Sequence, residues 1–292
     1  MTKMIGKSIR ARLLNLAKQE KLEFMKVLVR YLHERLLFRI SASTYKSHFL
    51  LKGSSLLFAL DGFKARPTID IDLLGERISN DMENLQEVFR NVCSVECEDD
   101  GVYFDAASLE LEPIAIEKKY PGTCVRVVAH LDTIVQQVSV DIGFGDVVTP
   151  YPLTLDYPLL LPNLPAVELY AYSLETMIAE KFHTMVDRDE SNSRMKDFFD
   201  VYQLFTYHEV DDTFLEEAIV STFRNRNTFY RDNLGLFSDK FAEDERRNVW
   251  WKAFLKKIRW KEQIDFSDVM NCIKENLQKY WNEATLGGNS KK

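Results

Sequence analysis

Two aspartates one residue apart, Asp70 and Asp72, interrupt the apolar run TIDIDLL at residues 68–74. In an extended chain such residues face the same side, so two like charges share one patch of a strand that otherwise reads as buried. Each carboxylate costs several kcal/mol to desolvate without a positive partner, and the pair repels itself. A divalent cation answers both costs. Magnesium or manganese takes oxygen ligands and keeps positions for water and phosphate oxygens. A third acid would complete a two-metal arrangement for phosphoryl chemistry. Asp141, in the apolar stretch VSVDIGFGD, is the candidate; its rival Asp146 follows a glycine-containing turn and is expected to be solvated.

Upstream, LKGSSLLFAL places Gly53, Ser54 and Ser55 at a corner between an apolar strand and a short helix. Amides at a helix N-terminus suit the phosphates of a nucleotide. Lys52 precedes this corner, and Arg66 and Thr68 precede the acidic strand. Lys52 and Arg66 each have two readings, one toward an anion and one toward solvent or a neighbouring helix. Far downstream, in SLETMIAEKFHTMVDR, Lys181 falls in the apolar stripe of Leu174, Ile178 and Met185. A lysine ordinarily lies at a stripe's margin, so Lys181 is expected to cross the packed layer toward an anion, whereas Glu180 and His183 are expected at the surface. In the next segment, RMKDFFDVYQLF, Asp197 borders the apolar face and Asp200 lies on its far side, which ranks Asp197 first. These acids either belong to the site or pair with Lys196, Arg194 or Arg188 to pin two helices.

The combination of Gly53-Ser54, Asp70-Ile71-Asp72-Leu73 and a later strand aspartate resembles the polymerase-β type nucleotidyltransferase pattern. More narrowly, LKGSSLLFAL with RPTIDIDLL, then SLETMIAEKFHTMVDR and SRMKDFFDVYQLF, resembles the AbiEii/AbiGii-like nucleotidyltransferase toxins of bacterial toxin-antitoxin systems over roughly residues 45–207. The resemblance implies an NTP substrate, Lys181 as a triphosphate ligand, Asp197 as part of the site, tRNA or another RNA as acceptor, and a cognate antitoxin as partner. In this reading Asp70 and Asp72 hold the metals, and Asp141 is the third ligand or the base. Two alternatives stand beside it: a glycosyltransferase using a nucleotide sugar, because an Asp-x-Asp also grips such diphosphates, and a protein that binds nucleotide or RNA without catalysis.

The elements that must position these residues run in the order helices, mixed α/β, helices. Apolar spacing from Ile9 to Ile40 predicts two helices or one broken one, HFLLKG a strand, SSLLFAL a helix stopped at Asp61-Gly62, and residues 79–95 a helix capped by Ser79 or Asn80. Three β-rich runs follow between residues 102 and 145, the first two joined by a YPG turn. A proline-rich connector, TPYPLTLDYPLLLPNLP, leads to helices from Leu174 onward, and the tail GGNSKK is expected to be disordered. The expected fold is α+β: an N-terminal helical segment over 1–45, a nucleotidyltransferase core with a mixed sheet over 46–165, and a helical domain over 166–292.

Composition narrows the class. The chain has 292 residues, is 46% hydrophobic and contains no apolar run long enough to span a bilayer, so a cytoplasmic address without a membrane partner is expected. Four irregularly spaced cysteines argue against a disulfide framework, and Cys93 and Cys97 lack a second ligand pair for zinc. The net charge of −7 is unevenly divided: residues 1–52 carry twelve Lys or Arg against three acids, +9, leaving −16 on the remainder. That basic end is either a surface for a polyanion such as tRNA or a face that pairs with acids of the same molecule. Near the other end, NVWWKAFLKKIRWKEQ has apolar residues at helical spacing and Lys252, Lys256 and Arg259 on another side, the pattern either of a helix that contacts RNA or a partner protein or of a packed helix with a solvated basic face.

Overall fold

The computed structural model describes residues 2–114, 122–230 and 234–288. The chain divides into two compact units, the first comprising Met1–Asp146 and Pro152–Tyr172, the second Val147–Tyr151 and Ser173–Lys292. Among the described residues, no helix is long and apolar enough to cross a membrane.

The first unit opens with helices α1 (Thr2–Gln19) and α2 (Phe24–Ala42), then strand β1 (Phe49–Lys52) running directly into α3 (Gly53–Asp61), followed by β2 (Asp70–Gly75) and α4 (Met82–Cys93). Strands β3 (Val102–Ile114), β4 (Gly122–Leu131), β5 (Ile134–Phe144), β6 (Leu153–Tyr157) and β7 (Val167–Ala171) complete it. Together the strands form a seven-stranded mixed sheet in the order β3-β4-β5-β2-β1-β7-β6. β2 runs parallel to β5 and β1 parallel to β7; the other pairs are antiparallel. The central strands carry the core: Ile71, Leu74, Val125, Val127, Val140 and Ile142 are buried. Strands enclosed on both faces read as nearly continuous apolar runs, which is why the aspartates of β2 stood out.

Three expectations are corrected here. The cap of α4 is Asp81, neither Ser79 nor Asn80: its carboxylate accepts the Asn84 amide at 3.1 Å, while the Ser79 hydroxyl accepts the amide of Asp81 itself. The connector is not merely a linker, because LTLDY forms β6 at the sheet's edge; beyond it, ahead of the expected helices, VELYA forms β7 beside β1. In the tail, Gly287 and Gly288 belong to the last helix, and Asn289–Lys292 lie outside the described residues, as do Tyr120 and Pro121 of the YPG turn.

Part of the basic N-terminal charge is internal, while Lys7, Lys18 and Lys21 are exposed. Arg30, Arg35 and Arg39 of α2 are buried, together with His33 and Glu34. Arg39 donates to Asp100 Oδ2 at 2.8 Å and to the Val102 carbonyl at 2.8 Å, and its guanidinium lies 4.8 Å from the Phe104 ring centre. Arg35 pairs with Glu34 at 2.8 Å, Arg10 with Asp132 at 3.1 Å, and Lys46 with Glu168. Of the two readings of this end, internal pairing describes these residues.

The second unit is helical: α5 (Leu174–Arg188), α6 (Met195–Tyr207), α7 (Asp212–Asn225), α8 (Asp239–Glu243), α9 (Glu245–Ile258) and α10 (Phe266–Gly288). Ser173 caps α5 by accepting the Thr176 amide, and Asp211 caps α7 through Phe214. Its core is aromatic, with Phe182 and Phe223 centred 5.3 Å apart and Phe198 edge-on to Phe266 at 5.4 Å.

Candidate active site

The site in the first unit is built by four neighbouring strands, β4-β5-β2-β1, and one corner. Side chains at alternate positions of β2 share a face, so Asp70 and Asp72 point together. In the parallel register Asp72 stands beside Asp141, and Asp70 beside Ser139. Asp141 in turn neighbours Cys124 on β4, and Lys52 neighbours Asp72 on β1. Three carboxylates, a thiol and an ammonium therefore stand along one band of the sheet. The three aspartates are half-buried, less enclosed than an apolar strand suggested.

The corner closes against this band. Gly53 holds φ +60°, and a Cβ there would overlap the Asp72 carboxylate, so glycine is required twice over, by backbone and by space. The Ser54 amide donates to Asp72 Oδ2 at 3.3 Å. Thus the positive end of α3 faces a carboxylate of β2. Ser55 is fully buried and its hydroxyl donates to the Asp70 carbonyl at 3.3 Å, which Thr68 also approaches at 3.4 Å. Arg66, half-buried before β2, accepts from Arg30 Nη2 through its carbonyl at 3.1 Å.

Lys52 belongs to a second set of contacts. Its Nζ donates to Asp146 Oδ2 at 3.1 Å, lies 3.4 Å from the Tyr172 hydroxyl and sits 5.3 Å from that ring's centre. The Asp146 side chain is only 10% exposed, so the expectation of a solvated carboxylate is corrected by the lysine that reaches it from β1. Tyr172 and Cys124 are the residues that sequence reasoning missed. Burial pushes the Cys124 thiol up to about 11, with Asp141 adding to the effect through a hydrogen bond and its charge. Nothing in the spacing of Cys124 or Tyr172 signals these neighbours; strand register alone supplies them.

In the second unit Lys181 lies in a four-membered ionic network. Its Nζ donates to Asp200 Oδ2 at 2.6 Å and to Asp197 Oδ1 at 3.1 Å, and Arg194 Nε donates to Asp197 Oδ2 at 2.6 Å. Asp197 and Asp200 are both buried. Burial alone would raise the Asp197 carboxyl, but Lys181 and then Arg194 outweigh it and hold it at about 2. The ranking of Asp197 over Asp200 is corrected: both reach Lys181, because the side chain of Asp200 turns into the α5–α6 contact. Glu180 and His183 are also not surface residues. Glu180 pairs with Arg226 at 3.3 Å, and His183 packs edge-on against Phe223 at 5.5 Å.

Residues 35–271 match the family model described as nucleotidyl transferase AbiEii toxin, type IV toxin-antitoxin system. Among solved structures, the crystal structure of JHP933 from Helicobacter pylori is similar at a TM-score of 0.50 and 15% identity, covering 92% of this chain and 97% of that one. A second H. pylori structure, described provisionally as a nucleotidyltransferase, is similar at a TM-score of 0.43 and 14% identity, covering 83% of this chain and 100% of that one. At such identities the likeness concerns the fold, and it rests on the first of the two. No curated protein matches the chain.

Proposed function

The chain belongs to the AbiEii nucleotidyltransferase toxin family of type IV toxin-antitoxin systems, and from that premise we propose that it transfers the nucleoside monophosphate of an NTP to a hydroxyl of an RNA acceptor, tRNA being the leading candidate. A nucleotidyltransferase family sets aside both alternatives, glycosyl transfer and binding without catalysis. Membership also implies a cognate antitoxin.

The observation that carries the proposal is the register of Asp72 beside Asp141, with Asp70 two residues along the same face. Among the described residues, no group of three or more His, Cys, Asp or Glu side chains is arranged as a preformed metal cage. The donor chemistry nevertheless fits a hard cation: these carboxylates offer oxygens only, on adjoining strands, half-exposed where a nucleotide could reach them. Asp70 and Asp72 are the residues that would hold magnesium or manganese, with Asp141 as third ligand or base. Such an ion supplies charge stabilisation at the transferring phosphoryl group.

The remaining chemistry falls to the chain. The acceptor oxygen attacks the α-phosphorus, its proton passes to a carboxylate oxygen of Asp141, and the bond to the bridging oxygen breaks so that pyrophosphate leaves. Gly53, Ser54 and Ser55 present the start of α3, while Lys52 and Arg66 supply positive charge near the phosphates. Lys181 is assigned to the triphosphate through the family resemblance, with Asp197 and Asp200 fixing its ammonium. Incubating the purified protein with labelled NTP, magnesium or manganese and total RNA tests the proposal: wild type labels RNA and Asp70→Ala does not, whereas full labelling by that variant would refute it.

A further inference from the structure

In an acidic chain, the stretch from Arg246 to Lys261 contains seven Lys or Arg and no Asp or Glu. Helix α9 presents most of them on one side. At 100° per residue, Lys252, Glu245, Lys256, Val249, Ala253, Arg246 and Lys257 fall within about 140° of arc, and all seven are exposed, Glu245 of the first turn being the one acid among them. Among the described residues, no carboxylate pairs with Arg246, Lys252, Lys256, Lys257 or Lys261. Arg246 instead lies over the Trp250 ring at 4.7 Å. The helix dipole accounts for Lys256 and Lys257 near the C-terminal end, but it disfavours Arg246 in the first turn and leaves Lys252 unexplained.

The opposite face of α9 is already occupied. Trp251 is buried and donates from Nε1 to the Ile264 carbonyl at 2.7 Å, while Phe254 packs against Phe199 at 5.6 Å. Trp251 is therefore committed to the core, Trp250, Phe254, Leu255 and Ile258 are half-buried, and Val249 is the one large hydrophobic side chain exposed on the basic side. A membrane-surface helix needs a free apolar face to insert; this helix exposes one large apolar side chain, Val249, among its charges. A charge strip about 16 Å long from Arg246 to Lys257, at 1.5 Å per residue, complements a polyphosphate backbone read without base contacts.

We infer that the exposed side of α9, Arg246, Lys252, Lys256 and Lys257, docks the phosphate backbone of the RNA acceptor. This rests on the RNA-transfer reading, yet binding and transfer are separable. The full chain is titrated into fluorescent RNA, into DNA of the same sequence and into phosphatidylserine vesicles, between about 50 and 200 mM salt. The Lys252→Gln/Lys256→Gln/Lys257→Gln variant is expected to bind RNA about tenfold or more weakly, and its log–log salt slope to fall by about 2, given roughly 0.7 per lost phosphate contact on a single strand. The corresponding triple Lys→Arg variant retains affinity, which separates lost charge from lost folding, and DNA binding that weakens in parallel supports a backbone contact. Unchanged RNA affinity and slope in the Gln variant, or binding of vesicles in place of RNA, would overturn the inference while leaving nucleotidyl transfer standing. Loss of strip-dependent binding is the expected result even if no NTP label is ever transferred, in which case the functional proposal fails alone.

Discussion

Asp141 stands directly beside Asp72 across the parallel pairing of β5 and β2, though 69 positions separate them in the chain. Two carboxylates at neighbouring positions on one sheet face repel, and packing alone gives no reason to bring them together. Their cost is structural and their use is chemical. Asp141→Asn is accordingly expected to keep or raise the melting temperature while lowering RNA labelling by about 10²–10⁴, the range of a positioned base. Paired thermal melts and labelling assays check it; a destabilised but active variant would reverse the assignment.

Gly53 faces the same carboxylate from the other side. Gly53→Ala combines a left-handed backbone with overlap against Asp72, so it is expected to lose activity and roughly 1–3 kcal/mol of stability. Gly62→Ala is the matched control: φ is +58° there, but a Cβ meets nothing within 4 Å. It is expected to cost stability by denaturant titration and leave labelling intact.

Lys181 holds two buried carboxylates, so removing it strands both. Lys181→Met is expected to destabilise the second unit by about 3–5 kcal/mol, read as a lower denaturation midpoint. Lys181→Arg is expected to recover much of that loss, since it restores the charge in a different geometry.

Asp197 sets a pH dependence whose sign is fixed by its environment. Its folded value lies at about 2, below the ordinary 3.8, so its contribution is complete above about pH 4 and disappears as the pH falls toward 2. The difference corresponds to roughly 2 kcal/mol. Wild type is expected to lose that much more stability than Asp197→Asn between pH 4 and pH 2, measured by denaturant titration at each pH.

The parts legible in the sequence were those written in local pattern: the helix pair before Ala42, the strand–glycine–helix corner at Gly53, the acidic strand, and the three β-rich runs. What escaped was set by partners distant in sequence. Nothing in VELYA distinguishes a strand beside β1 from a loop after prolines, because its reason to extend is the free edge of β1. The helical period of α2 places Arg35 and Arg39 among apolar neighbours, but only Asp100 and the Val102 carbonyl explain why Arg39 remains there. Asp146 looked solvated because its partner, Lys52, lies 94 residues earlier. Likewise Ser79, Asn80 and Asp81 are chemically similar caps, and the turn geometry alone selects Asp81.

Nucleotidyl transfer by the β2–β5 carboxylates is tested most directly by comparing two labels on the same NTP. With magnesium and RNA, label at the α-phosphate should appear in RNA and label at the γ-phosphate should leave with pyrophosphate, and Asp70→Ala should abolish the α-label signal. Transfer of the γ-label to RNA, or full α-labelling by Asp70→Ala, would contradict it.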